Sequence, residues 1–432
     1  MKRRTRTIWT AGISLGLVAA ALVAVPALLS GYDSRRASPP GKLIVHEWGT
    51  FTSFSGSNGV ELEFRPLVTS DLPRFIMNPF SQPGSPTNFL LKDQFTALQR
   101  METPVTYFYT DSPRVVNVRV DFPQGSLTEW YPVVSKFDAG VNNDTSAIVG
   151  HAYLDWGTVR LTPASQFGNV RVRDAKGKAI PASLPPVDAG DHYERARETG
   201  SAIVETVDAN RGSHFEKFLF YRGLGNFELP IKLAALGNDR FEVSNSGEEA
   251  SGALLLVRIE CGRVRFARLE PVTQHSQIEA NLLSEASTVD ALAEAMVHEL
   301  TAAGLYNKEA LAMVNTWRAS WFGENGTRLL YLVPGKLTDK LLPLTVDPAP
   351  DQRVRVLVGR LETLTPEDCQ RLVHALVGSE TDEKPTEAAV KAELTTLGRF
   401  AEPAIQFVLG QTRDPNTLDR LKAILTDVRH GK

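Results

Sequence analysis

A chain of 432 residues is too long for one small core and predicts more than one folding unit. Its hydrophobic content of 42% and charged content of 22% are those of a globular protein, which excludes a wholly disordered chain. The net charge is −3, and setting aside Lys2, Arg3, Arg4 and Arg6 leaves −7, so the basic footprint of a nucleic-acid binder is missing and no such partner is expected.

The first predicted element is an apolar run from Ile8 to Leu29, preceded by those four basic residues and followed by Ser30 and Gly31. Its roughly 22 residues, at about 1.5 Å per residue, would cover about 30 Å as a helix, the thickness of a bilayer core. Basic residues before the run predict a cytoplasmic N-terminus, an inner-membrane span and an outward-facing or periplasmic body. Residues 1–31 are therefore a signal peptide or transmembrane anchor. The length favours retention; cleavage after Ala27 would instead release the body. Tyr32 stands where a lipoprotein needs cysteine, which excludes a lipid anchor there. Residues 32–41, with Ser38-Pro39-Pro40-Gly41, read as a flexible tether.

Residues 42–278 read as a large β-rich, sandwich-like domain. Strands are expected at 43–54, 104–109, 115–122, 127–134, 153–161, 202–207, 217–221 and 231–235. A hairpin turns at Cys261-Gly262, pairing Glu260 with Arg263, Ile259 with Val264 and Val257 with Phe266. An exposed loop is expected from Ser81 to Asn88.

Residues 279–365 read as a mixed α/β segment packed on that domain. Val289, Leu292, Met296 and Leu300 fall at helical spacing, as do Leu311, Val314, Trp317 and Trp321, with Gly304 between the two helices. The second set predicts a buried stripe. Strands follow at 329–333 and 353–361, where Val354, Val356 and Val358 share a face. From Thr365, an N-cap before Pro366, residues 366–432 form an all-helical tail. Its stripes, Val390, Leu394 and Leu397 and then Leu418, Leu421, Leu425 and Val428, resemble a HEAT-type hairpin. About 45 residues are too few for an array that buries its own core, so a helical cap on the preceding domain is expected. The fold class is α+β. Cys261 and Cys369 are expected to be free, because so large a core needs no staple.

The motifs exclude more than they assign. His46-Glu47 and His298-Glu299 each lack the second histidine of a zinc-protease helix, and Gly223-Leu224-Gly225 lacks the third glycine and the helix of a dinucleotide loop. No cofactor is expected. The candidates for chemistry are His46, Glu47, Glu102 and Glu129, which as a convergent set could act as acid and base or hold a divalent metal, with His192 a further ligand candidate. On a strand His46 and Glu47 point to opposite faces, which predicts one structural hydrogen bond and one partly solvated side chain. Trp48, Trp130, Trp156 and Tyr131 read as core, with an aromatic platform for a glycan as the alternative.

Five segments carry a resemblance: Val45-His46-Glu47-Trp48-Gly49-Thr50-Phe51-Thr52, Met101-Glu102-Thr103-Pro104-Val105, Glu129-Trp130-Tyr131-Pro132, residues 217–223 and residues 317–322. Together they resemble a group of bacterial exported proteins with no established activity, so the resemblance implies export and assigns no residue a role. The expected function is a membrane-tethered, non-catalytic binding or structural component of the envelope, with a protein or glycan partner. The alternative is an extracytoplasmic metal- or carboxylate-dependent hydrolase centred on His46, Glu47, Glu102 and Glu129.

Overall fold

The computed structural model describes residues 41–66, 72–79, 95–142, 147–174, 176–188, 190–208, 212–282, 285–378 and 384–429. The apolar run from Ile8 to Leu29, the tether before Gly41 and the loop from Ser81 to Asn88 lie outside them. Among the described residues no helix is long and apolar enough to cross a membrane.

Eight strands form the main sheet: β1 (Ile44–Ser55), β2 (Gln99–Tyr109), β4 (Gly125–Tyr131), β8 (Leu219–Gly225), β11 (Leu254–Glu260), β12 (Arg263–Leu269), β14 (Gly326–Leu332) and β16 (Gln352–Thr363). Their order is β12-β11-β14-β16-β1-β2-β8-β4. Neighbours are antiparallel except β1 and β16, which run parallel in an unbroken register from Ile44 opposite Gln352 to Ser55 opposite Thr363. A second sheet joins β3 (Arg114–Phe122), β5 (Ala152–Thr162), β6 (Ile203–Asp208), β7 (Gly212–Glu216) and β15 (Leu344–Asp347) with a short strand at Lys136–Asp138. A third holds β9 (Ile231–Gly237), β10 (Arg240–Asn245) and β13 (Ser276–Asn281).

Period-two alternation then builds the layers. Val45 and Phe51 of β1, Leu127 of β4 and Leu357 of β16 share one core with Val118, Leu154 and Leu161 of the second sheet and Leu233 and Val243 of the third. Trp48 of β1, Val105 and Tyr107 of β2 and Val356 of β16 face the opposite way, under α2 (Val289–Ala302) and α3 (Asn307–Phe322). The main sheet is thus covered on both faces. That is why β1 carries no exposed side chain.

The β-rich α+β class agrees with the sequence, but the expected boundary at 278 separates no core. β14 and β16 come from the middle segment, yet they stand inside the main sheet beside β1. Both faces of β16 are apolar at Val356, Leu357, Val358 and Leu361, which suits a central position and not a segment docked from outside. The hairpin at Cys261-Gly262 has the expected register, and both cysteines are free. Gly304, at φ 108, separates α2 from α3. Trp317 and Trp321 are buried and stacked with centroids 6.2 Å apart, whereas Leu311, expected on the same stripe, is 42% exposed. Ten residues of helix rotate Leu311 away from Trp321, and Ala310 and Met313 take the buried positions at that end of α3 instead.

The tail comprises α5 (Pro366–Val377), α6 (Glu387–Leu397), α7 (Ala401–Gln411) and α8 (Pro415–Arg429), following the short helices α1 (His192–Ala196) and α4 (Gly335–Leu341) earlier in the chain. Thr365 and Asp368 cap α5 reciprocally. Leu372, Leu376, Ile405, Val408 and Leu421 form one core with Phe54 and Phe64. The tail is a cap on the end of β1.

Candidate ligand-binding cleft

Beyond Trp48 and Val105, toward the tail, the helix-covered face of the main sheet changes from apolar to charged. Thr52 of β1 lies opposite Arg100 of β2 on one side and opposite Arg360 of β16 on the other. Glu362 lies opposite Phe54 and Arg328. A bulge places Glu102 on this face. The β1–β2 register slips between Trp48 and Thr50, Thr103 adopts φ 44, and the extra residue keeps Glu102 on the side shared by Val105. Gly49 sits against this bulge, where a Cβ would come within 2.9 Å of the Pro104 backbone.

The buried floor is tightly paired. Glu102 accepts from Thr52 Oγ1 at 2.8 Å and from Arg399 Nη1 at 2.5 Å, and lies 3.2 Å from Arg100 Nε. Arg360 donates through Nε to Glu362 at 2.7 Å and through Nη2 to Glu324 at 2.7 Å. Arg328 meets Glu362 at 2.8 Å and donates to the carbonyls of Ser320, Trp321, Glu324 and Asn325, placing a cation at the C-terminal end of α3. Burial alone would raise the Glu102 carboxyl, but Arg399, Arg100 and Arg360 outweigh it and hold the group at about 2. Glu362 is also held below its ordinary value, burial being outweighed by Arg328 and Arg360.

Above this floor opens a cleft of about 1060 Å³, walled by the C-terminal end of α3 and by residues 391–402. Phe400 stacks on Phe54 at 4.9 Å, and the Arg399 guanidinium lies 5.0 Å from the Phe400 ring. Trp317, Leu394 and Leu397 complete the apolar wall. The volume suits a small organic ligand or the end of a chain.

Of the four residues singled out in the sequence, only Glu102 lines the cleft. Glu47 is on the opposite face, where Arg355 approaches it at 2.6 Å, Tyr221 donates at 2.7 Å and Thr106 at 3.0 Å. His46 faces the helices but is enclosed by Tyr109 and Tyr306, its Nδ1 2.7 Å from Glu309. The expectation that one of this pair is solvated fails: both are fully buried, because the sheet is covered on both sides. Glu129 is buried on β4, opposite Arg222 of β8, and accepts from Thr128 Oγ1. His192 stands at the start of α1, within 3.5 Å of Arg222.

Among the described residues no group of three His, Cys, Asp or Glu side chains is placed to hold a metal. Trp48 and Tyr131 belong to the helix-side core and Trp130 and Trp156 to the core between sheets, so no shared aromatic platform exists for a glycan. The sequence reasoning missed Arg328, Arg360, Glu362 and Arg399. A signal for two of them was present, since Arg360 and Glu362 continue the alternation of Val354, Val356 and Val358 and place charge on an otherwise apolar face of a strand.

No protein-family model matches the chain, and no curated protein matches it in sequence. Among solved structures, the Fcho1 Mu homology domain of Danio rerio with bound Eps15 peptide matches at 7% identity and a TM-score of 0.27, over 76% of this chain and 97% of that one. The yeast delta-COP-I mu-homology domain complexed with a Dsl1 WxWxV peptide matches at 7% identity and a TM-score of 0.25, over 76% and 98%. At such scores neither fold nor function is carried over.

Proposed function

We propose that this chain is a non-catalytic binding protein, held at the outer face of a membrane by its N-terminal segment, and that the cleft receives its ligand. The observation that carries the proposal is the paired floor. Glu102 at about 2 is ionised across the physiological range and too weak a base for efficient proton transfer near neutral pH. The same ion pairs fix a polar surface in advance of any ligand, which suits recognition. A carboxylate or metal-assisted hydrolase needs several of His46, Glu47, Glu102 and Glu129 in one place, and their dispersal over two faces speaks against it. The tether rests on the apolar run from Ile8 to Leu29 and the basic residues before it, and export agrees with the resemblance carried by His46-Glu47-Trp48-Gly49-Thr50.

The test is native mass spectrometry of full-length protein extracted from its own membranes, beside Arg399→Ala. The parent is expected to retain a non-covalent mass that the variant loses. A parent that carries no such mass, even after incubation with envelope extract, would overturn the proposal.

A further inference from the structure

The buried polar atoms that line the cleft are unevenly satisfied. Among the described residues, every buried lining side-chain oxygen has a hydrogen-bond partner, whereas Arg258 Nε, Arg360 Nη1 and Trp317 Nε1 have none, and Arg65 Nε and Arg100 Nε stand at ion-pair distance from Glu402 and Glu102. Arg360 is 1% exposed and Trp317 6%. Each is anchored independently of these atoms: Arg360 by Glu362 and Glu324, Trp317 by its stack on Trp321. Buried donors without acceptors are uncommon in folded proteins, and where they line an open cleft an incoming ligand can supply the acceptor. What the cleft lacks is an acceptor.

Resting on the binding role proposed above, we infer that the cleft takes a ligand with a single carboxylate on a flat apolar body, the carboxylate meeting Arg360 and Trp317 and the body lying against Phe54 and Phe400. The stacked Phe54–Phe400 pair with Leu394 and Leu397 supplies the apolar surface, and Arg360, its Nε and Nη2 held by Glu362 and Glu324, offers the N–H groups of Nη1 for a charge-assisted hydrogen bond to a carboxylate. A dianion fits less well. Glu102, Glu324 and Glu362 already surround the arginines, so a second negative charge would meet three carboxylates. The carboxylate could belong to a free small molecule or to the C-terminus of a peptide, two sources of one chemistry.

Isothermal titration of the full chain in detergent tests this with phenylacetate, its neutral isostere phenylacetamide, phenyl phosphate, and the tripeptide Ala-Ala-Phe with a free or an amidated C-terminus. Phenylacetate or the free-ended peptide should bind at least about tenfold more tightly than its amide, the tighter of the two assigning the source. Trp317→Phe, which keeps a six-membered ring but removes the pyrrole ring with its N–H, should weaken binding of the acid roughly threefold or more at a temperature where the variant is fully folded, and Arg360→Gln should weaken it further. Equal binding of acid and amide, tighter binding of phenyl phosphate, or indifference to Trp317→Phe would overturn the inference. So would the absence of any titration, and a retained mass in the native spectrum would then show that the binding role survives while the ligand class does not.

Discussion

Replacing Glu102 by Gln removes the anion around which Arg399, Arg100 and Arg360 are arranged, and its cost follows from the displacement of its proton equilibrium. The carboxyl falls from an ordinary 4.5 to about 2 in the fold, and at about 1.4 kcal/mol per unit the ionised form contributes about 3 kcal/mol to stability at neutral pH. Because the folded value is the lower one, this contribution is complete above about 4.5 and disappears as the pH falls through about 2. Breaking a buried ion pair on one side costs a similar amount, about 3 to 5 kcal/mol. Urea unfolding followed by tryptophan fluorescence should therefore place Glu102→Gln about 3 kcal/mol below the parent at pH 7, with an unchanged m-value, and the gap should close between pH 4.5 and pH 2. A difference that stays constant over that range, or no difference at pH 7, would refute the assignment of Glu102 as the ionised centre of the floor.

Glu61 should behave in the opposite sense. Burial, with Glu228 nearby, raises it to about 7, so stability is greatest below about 4.5 and declines by about 3 kcal/mol as the pH rises to 7. Glu61→Gln should remove that decline, and a variant whose unfolding midpoint falls with pH as steeply as the parent would contradict it. Trp321→Ala should cost roughly 3 to 5 kcal/mol, because the ring is fully buried between α3 and the main sheet; an unchanged denaturant midpoint would show that the ring does not hold the layers together. The full chain should stay with the membrane fraction after a carbonate wash and a chain starting at Lys42 should be soluble, whereas a native chain beginning at Leu28 and free of the membrane would show cleavage.

The architecture was largely legible wherever local pattern decides it. The hairpin at Cys261-Gly262, the stop at Gly304 and the cap at Thr365 are short-range features, and each stands where the residues place it. Long-range pairing was not legible. Nothing local says that Val45 lies beside Arg353, so the parallel joining of β1 to β16, and with it the continuous main sheet, emerges only in three dimensions. The cleft was hidden for the same reason: Glu102, Arg360 and Arg399 come from three distant segments, and a bulge at Thr103 decides the face that Glu102 occupies. His46 and Glu47 drew attention as a polar pair in an apolar strand. In the fold both are buried in hydrogen-bonded pairs, one joining β1 to the start of α3 through Glu309, the other meeting Arg355 and Tyr221 inside the sheet layer.

The most direct test of the cleft as the ligand site is site-specific photocrosslinking in cells expressing the full chain. A photoreactive side chain at Thr396, exposed and on the cleft wall, would be compared with one at Val207, exposed on the second sheet. The expected result is one defined adduct from position 396, abolished by Arg399→Ala, and none from position 207. An adduct from position 207 alone, or from neither position, would contradict it.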